Sequence, residues 1–362
     1  MNKTAFAPNW ASPPGDTLSD LLDERGITQK ELSIKLGRSD KNLSQIVNGK
    51  APITPDLALD LERVLGTPAH FWNSREARYR EWLTRQSIAE PAEDDLAWAR
   101  SFPYARMAQH GWIPAATNAR EKFFNLLKFF GVVDRSAFIA WQATLSPMYR
   151  RSAASNLAKD NLIAAWLRQG EIEAADVETG QYSEKDFEAA VLEARKLTCQ
   201  TPDEFDSILR KLFADAGVAL LFIPELPSMG VSGATRWLGS KAVIQITLLY
   251  KTNDHFWFTI FHESCHILKH QKRAVFLETP GNNSVEEAEA NEFAANLLIP
   301  PTAFREFIAE RSFDGPSVRN FAESLGISPG IVVGRLQKER LIDWSALNNL
   351  KIRFQWVATR DD

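Results

Sequence analysis

The sequence predicts a mainly α chain that ends in an α+β domain, and three observations carry that reading. Residues 16–86 hold short amphipathic helices, each stopped by a glycine. Residues 96–200 keep apolar side chains at helical spacing. After 200, β-rich runs precede further helices. Three blocks follow, 1–86, 87–200 and 201–362, with "PAEDD" at 91–95 as a solvated joint.

Composition sets wide bounds. With 362 residues the chain can build two or three filled cores. It is 44% hydrophobic and 24% charged, ordinary values for a globular protein. No apolar run approaches the roughly eighteen residues of a membrane span, and the N-terminus lacks a signal-peptide core. Two cysteines point away from a disulfide framework and toward the cytoplasm. A net charge of −4 gives no global pull on nucleic acid, so DNA binding needs a local surface.

In the first block, "DTLSDLLDERG", "TQKELSIKLG", "SDKNLSQIVNG" and "TPDLALDLERVLG" each end at glycine, which best occupies the left-handed position after a helix. Thr28, Ser39 and Thr54 are N-caps, and Thr28 forms a capping box with Glu31. Leu32 and Leu36 face inward from one helix, Gly37 turns the chain, and Leu43, Ile46 and Val47 face inward from the next. That leaves Ser39, Asp40, Lys41, Asn42, Ser44 and Gln45 outward. Asn and Gln suit adenine edges, and Lys suits guanine or phosphate. Balanced charge, with Asp40 in this set, also suits a small dimerisation module. The block as far as "TPAHFWNSREARYRE" resembles XRE-type helix-turn-helix domains, closest to HigA-like antitoxins. The resemblance implies a five-helix domain that binds operator DNA as a homodimer, with Ser39, Lys41, Asn42, Ser44 and Gln45 as the contacts.

The middle block is helical, with Phe123, Leu126, Leu127 and Phe130 on one stripe of "AREKFFNLLKFFG". It carries no chemical motif, so a linker or sensing domain is expected. The third block opens with strands in "GVALLFIPEL" and "KAVIQITLLY". A short strand, "SGATRWLG", lies between them and suits an edge that pairs with extended substrate.

The stretch "FWFTIFHESCHILKH", 256–270, sets ionisable residues in an apolar run. Positions four apart share a helix face, so His262 and His266 offer two imidazoles to one ion, and Glu263 reaches a water on it. This is the HExxH arrangement of a zinc site with a general base. A core helix that tolerates stray polar residues is the rival, but Phe256, Phe258, Ile260, Phe261, Ile267 and Leu268 bury this helix all round. A metal is the simplest partner for polar groups placed there.

A third ligand is needed. His270, two turns beyond His262, lies too far along the axis. After a loop through "TPGNN", the helix "SVEEAEANEFAANLLIP" offers Glu286, Glu287 and Glu289. Of these Glu287 shares a stripe with Asn291, Ala294 and Leu298 and is the expected ligand, with Asn291 orienting a histidine from behind. Tyr250 and Arg236 are the candidate donors to the oxyanion, each with a structural alternative in the sheet or a salt bridge. Cys265 suits a redox handle or a small buried filler.

"HESCH" followed by "EAEANEFAANLLIP" resembles the ImmA/IrrE family of zinc metallopeptidases, over about 200–305. The resemblance implies one Zn2+ per chain on His262, His266 and Glu287, Glu263 as catalytic acid/base, and a gluzincin-like fold. It also implies cleavage of a repressor or other regulatory protein. "NFAESLGISPGIVVGRLQ" repeats the Leu-Gly turn of the first block, but its second helix is apolar, which fits packing. The expected whole is a DNA-binding regulator fused to a zinc endopeptidase. Two rivals stand beside it: an antitoxin-like transcription factor whose zinc is structural or sensory, and an enzyme whose own chain fills the cleft.

Overall fold

The computed structural model describes residues 10–87, 90–149, 157–270, 275–278 and 284–356; the "TPGNN" loop lies outside them. Two compact units form, Met1–Glu90 and Pro91–Asp362.

The first unit is five helices: α1 (Pro14–Arg25), α2 (Gln29–Lys35), α3 (Asp40–Val47), α4 (Pro55–Leu65) and α5 (Ala69–Gln86). The caps explain where they start. Thr28 Oγ1 accepts the Glu31 N–H while Glu31 Oε2 accepts the Thr28 N–H at 2.8 Å, and Ser39 and Thr54 cap α3 and α4. Gly26 and Gly66 end α1 and α4 with positive φ, where a Cβ is disfavoured. The core between them is apolar: Leu18, Leu32, Leu43, Leu57, Leu61 and Trp72 are fully buried. Each such side chain contributes about 1.5–3 kcal/mol.

The second unit begins with α6 (Glu93–Arg100), α7 (Tyr104–Gln109), α8 (Ala119–Phe130), α9 (Arg135–Tyr149) and α10 (Leu157–Asp176). Next come α11 (Glu184–Lys196) and α12 (Pro202–Asp215), then β1 (Val218–Phe222), β2 (Gly233–Leu238) and β3 (Lys241–Ile246). The remainder is α13 (Asn253–Lys269), β4 (Phe276–Glu278), α14 (Val285–Leu298), α15 (Pro301–Ala309), α16 (Gly315–Leu325) and α17 (Pro329–Lys338). The sheet order is β1-β3-β2-β4, parallel between β1 and β3 and antiparallel elsewhere. The three-residue β4 pairs with β2 over Gly233–Thr235, so among the described residues β2 is not the free edge its sequence suggested.

Side chains that alternate along the strands feed two cores. Val218, Leu220, Ala242 and Ile244 pack with α11–α17, whereas Ala219, Leu221, Val243 and Ala234 pack with Trp98, Phe130 and Trp166 of the preceding helices. Strands buried on both faces need helices on both faces. The 87–200 block is therefore not a domain of its own: α6–α10 cover one face of the sheet, and α11 packs with α12 on the other.

The C-terminal segment fixes the start of α13. Lys351 Nζ lies 2.6 Å from Asp254 Oδ2 with both side chains buried, and Lys351 also donates to Gln337 Oε1 at 2.7 Å. Asn253 donates its N–H to the Ile352 carbonyl at 2.9 Å, and its Oδ1 accepts the Ile352 N–H at 3.0 Å. The apolar helix α17 packs on the same end; a Cβ on Gly330 would lie 2.6 Å from Asn253 Oδ1, so glycine permits the approach.

Candidate metal centre

α13 is enclosed by α14, α17, β2 and β3, which is why its ionisable residues are inside: His262, Glu263 and His266 are at most 1% exposed and Glu287, from α14, 4%. Ser284 caps α14 through the Glu287 N–H, and Ala290 and Ala294 are small enough for α14 to lie against α13. His262 Nε2 is 3.1 Å from His266 Nε2 and 3.1 Å from Glu287 Oε2; His266 Nε2 is 3.6 Å from Glu287 Oε1. Tetrahedral bonds of about 2.0–2.1 Å would set donors about 3.3 Å apart, so the three fit one divalent ion. They are the one group of His, Cys, Asp and Glu side chains found among the described residues that could hold a metal ion.

The outward nitrogens are held too. An Nδ1–H on His262 donates to Asn291 Oδ1 at 3.2 Å, so Nε2 is the nitrogen turned toward Glu287. His266 Nδ1 lies 2.8 Å from His270 Nδ1, and His270 Nε2 lies 3.4 Å from Glu289 Oε2. His270 thus sits behind His266, as expected of a residue too distant to join the ion, and gains an orienting place that the sequence did not suggest. The His266 ring also stacks on Phe276 of β4 at 4.2 Å.

Charge reinforces the geometry. Burial draws the His262 imidazole down, but the Glu287 hydrogen bond and the charges of Glu278 and Glu263 outweigh it and raise it to about 9. His266, buried and beside His262, falls to about 2. Burial pushes the Glu263 carboxyl well above the usual carboxylate range. Its Oε2 accepts the Thr235 hydroxyl at 2.6 Å, and its Oε1 is buried with no hydrogen-bond partner. Gly233 makes room for it: a Cβ there would stand 2.6 Å from Glu263 Oε1.

A cleft of about 640 Å³ opens on this group, lined by His262, Glu287, Asn291, Tyr250, Glu278 and Lys338, among others. Tyr250 is on its rim, half-exposed and stacked at 4.2 Å on His255, which lies in the first turn of α13. Arg236 is not in the cleft. Thr235 faces Glu263, so its strand neighbour points to the other side of the sheet, where Arg236 donates to the Leu167 carbonyl and burial lowers its guanidinium to about 10. Thr235, Gly233 and Glu278 escaped the sequence reading because none belongs to a motif. α17, expected only to pack, also walls the cleft with Ile331, Arg335 and Lys338. Cys265 is fully buried, and burial pushes its thiol up to about 12.

In the first unit, Lys41, Ser44 and Gln45 are exposed on α3. Ser39 spends its hydroxyl on the cap, Asp40 is held by Ser33, and Asn42 is partly buried with its Oδ1 sealed and unpartnered.

Residues 18–72 match the helix-turn-helix family model and residues 219–337 match that of the IrrE N-terminal-like domain. The chain joins an XRE-type helix-turn-helix domain to an IrrE-like peptidase domain. The uncharacterised HTH-type transcriptional regulator YddM of Escherichia coli (strain K12) is 30% identical over 59 residues, 16% of this chain and 63% of that protein. Two solved structures align with part of the chain. One, described as an antidote protein of a plasmid maintenance system from Nostoc punctiforme, is 28% identical over 21% of this chain and 85% of its own, with TM-score 0.21. An addiction-module antidote protein of the HigA family from Coxiella burnetii is 24% identical over 22% and 97%, with TM-score 0.19. Among the described helices of this chain, none is long and apolar enough to cross a membrane.

Proposed function

We propose that the IrrE-like unit is a gluzincin-like zinc endopeptidase that cuts a regulatory protein, and that the first unit binds operator DNA as a homodimer through Lys41, Ser44 and Gln45, with Ser39 and Asn42 shaping that surface. The observation that carries the enzymatic half is Glu263, a sealed carboxylate with one oxygen held by Thr235 and the other unpartnered, next to three metal donors. A purely structural metal site has no need of that carboxylate, so it favours peptidase over sensor.

His262, His266 and Glu287 would hold the zinc, which when bound supplies a Lewis acid that polarises a peptide carbonyl and makes water acidic. Thr235 fixes Glu263 so that Oε1 accepts a proton from the attacking water and returns it to the leaving amine. Asn291 and His270 keep the imidazoles in the ligating orientation. Tyr250, on the cleft rim, is the candidate donor to the oxyanion; Arg236, on the far face, has no part in the step.

The test is zinc content and cleavage of protein partners co-expressed with the full chain. Glu263→Gln should hold about one zinc per chain and cut nothing. Unchanged cleavage in this variant would refute the mechanism, and a metal-replete chain without zinc would refute the centre.

A further inference from the structure

We propose that Glu278 is a specificity residue that takes a cationic group of the peptide, an ammonium or guanidinium, within a residue or two of the scissile bond. The inference rests on the peptidase reading above and adds to it the chemistry of the substrate.

Glu278 ends β4 and pairs with Gly233 of β2, the residue against which the Glu263 carboxylate rests. It lines the cleft together with His262 and Glu287. Neighbouring strands run about 4.8 Å apart, and an extended peptide advances about 3.3 Å per residue. A group that meets Glu278 therefore belongs to the immediate neighbourhood of the bond that Glu263 serves.

Glu278 takes a side-chain hydrogen bond from Thr259 and has no ion-pair partner among the described residues. It is outside the group of three metal donors. Its Oε2 is sealed from solvent and has no hydrogen-bond partner among the described residues. The cations of the cleft wall do not neutralise it: Arg335 pairs with Glu339 at 3.0 Å, and Lys351, behind the wall, pairs with Asp254. Lys338 exerts a field on Glu278 without an ion pair to it among the described residues. A peptide with a neutral group at this point leaves the acceptor unpaired, whereas a cation satisfies both charge and hydrogen bond.

The test uses the full chain with Glu263→Gln, loaded with zinc so that peptides bind uncut. Three decapeptide pools labelled at the C-terminus, random apart from the exclusion of Lys and Arg, are compared by fluorescence anisotropy. One is N-acetylated with Arg fixed at the centre, one N-acetylated with citrulline there, and one has citrulline and a free N-terminus. Arg binding about tenfold tighter than citrulline, with the preference lost in Glu278→Gln and kept in Glu278→Asp, supports the inference and assigns the cation to a side chain. A preference for the free N-terminus instead would mark cleavage at a chain end and overturn the inference. Thermal melting shows whether each variant is folded. No preference, no binding by any pool, or a preference that survives Glu278→Gln overturns the inference while zinc content leaves the metal centre standing. A chain that takes up no zinc overturns the peptidase reading, and this inference with it.

Discussion

The two units solve opposite problems with helices. In the first, the residues proposed to contact DNA (Lys41, Ser44, Gln45) stand on the outside of α3, over a core made of Leu18, Leu32, Leu43, Leu57, Leu61 and Trp72. In the second, His262, Glu263, His266 and Glu287 are the inside. An exposed reading surface asks only that its scaffold be stable. A buried polar centre asks that every donor be matched, since unpaired groups there are expensive. The difference predicts that core substitutions act on stability in one unit and on chemistry in the other.

The sharpest contrast is expected from Glu263→Gln, an isosteric change in a core: cleavage falls by about 10²–10⁴-fold with zinc retained and little change in melting. His262→Ala removes zinc altogether, as metal analysis will read. In the first unit, Leu43→Ala costs about 2–5 kcal/mol of its unfolding free energy by denaturant titration and leaves zinc content unchanged. Gly233→Ala tests the boundary between stability and chemistry: its Cβ displaces Glu263 and lowers cleavage by about 10²-fold while zinc stays bound. Loss of zinc in that variant would mean the carboxylate shapes the donor set as well.

A smaller effect concerns protons. His262 is raised to about 9 and must lose its proton to ligate, so zinc affinity of the metal-free chain weakens by about tenfold for each pH unit below that value. Titration calorimetry in two buffers will count the released proton. Smallest is the thiol contrast: at pH 8 the folded chain should react with a thiol reagent at exposed Cys199 and not at Cys265, and both should react in denaturant.

What could be read from the sequence followed periodicity and motif. The caps and glycine stops of α1–α4 are local chemistry, and the stripe of α14 brought Glu287 forward ahead of Glu286 and Glu289. Long-range placement was not legible. Both faces of β2 are buried, so its sequence has no alternation to show that Thr235 looks at the centre and Arg236 away from it. β4 is too short for a pattern, and with it Glu278 and Phe276 stayed hidden. The helices α6–α10 advertise an apolar face without saying which surface it covers, which is why they read as a separate domain.

The bond between Asp254 and Lys351 has a consequence in time. During synthesis, the DNA-reading helices are complete once α5 has emerged, and domains generally fold in the order they leave the ribosome. The helix with both histidines emerges long before the residues that clamp its first turn, so a nascent chain stalled after α14 and before Lys351 holds all three donors without the strap that steadies α13. The first unit is complete with α5, whereas the clamp on α13 is complete only with Lys351.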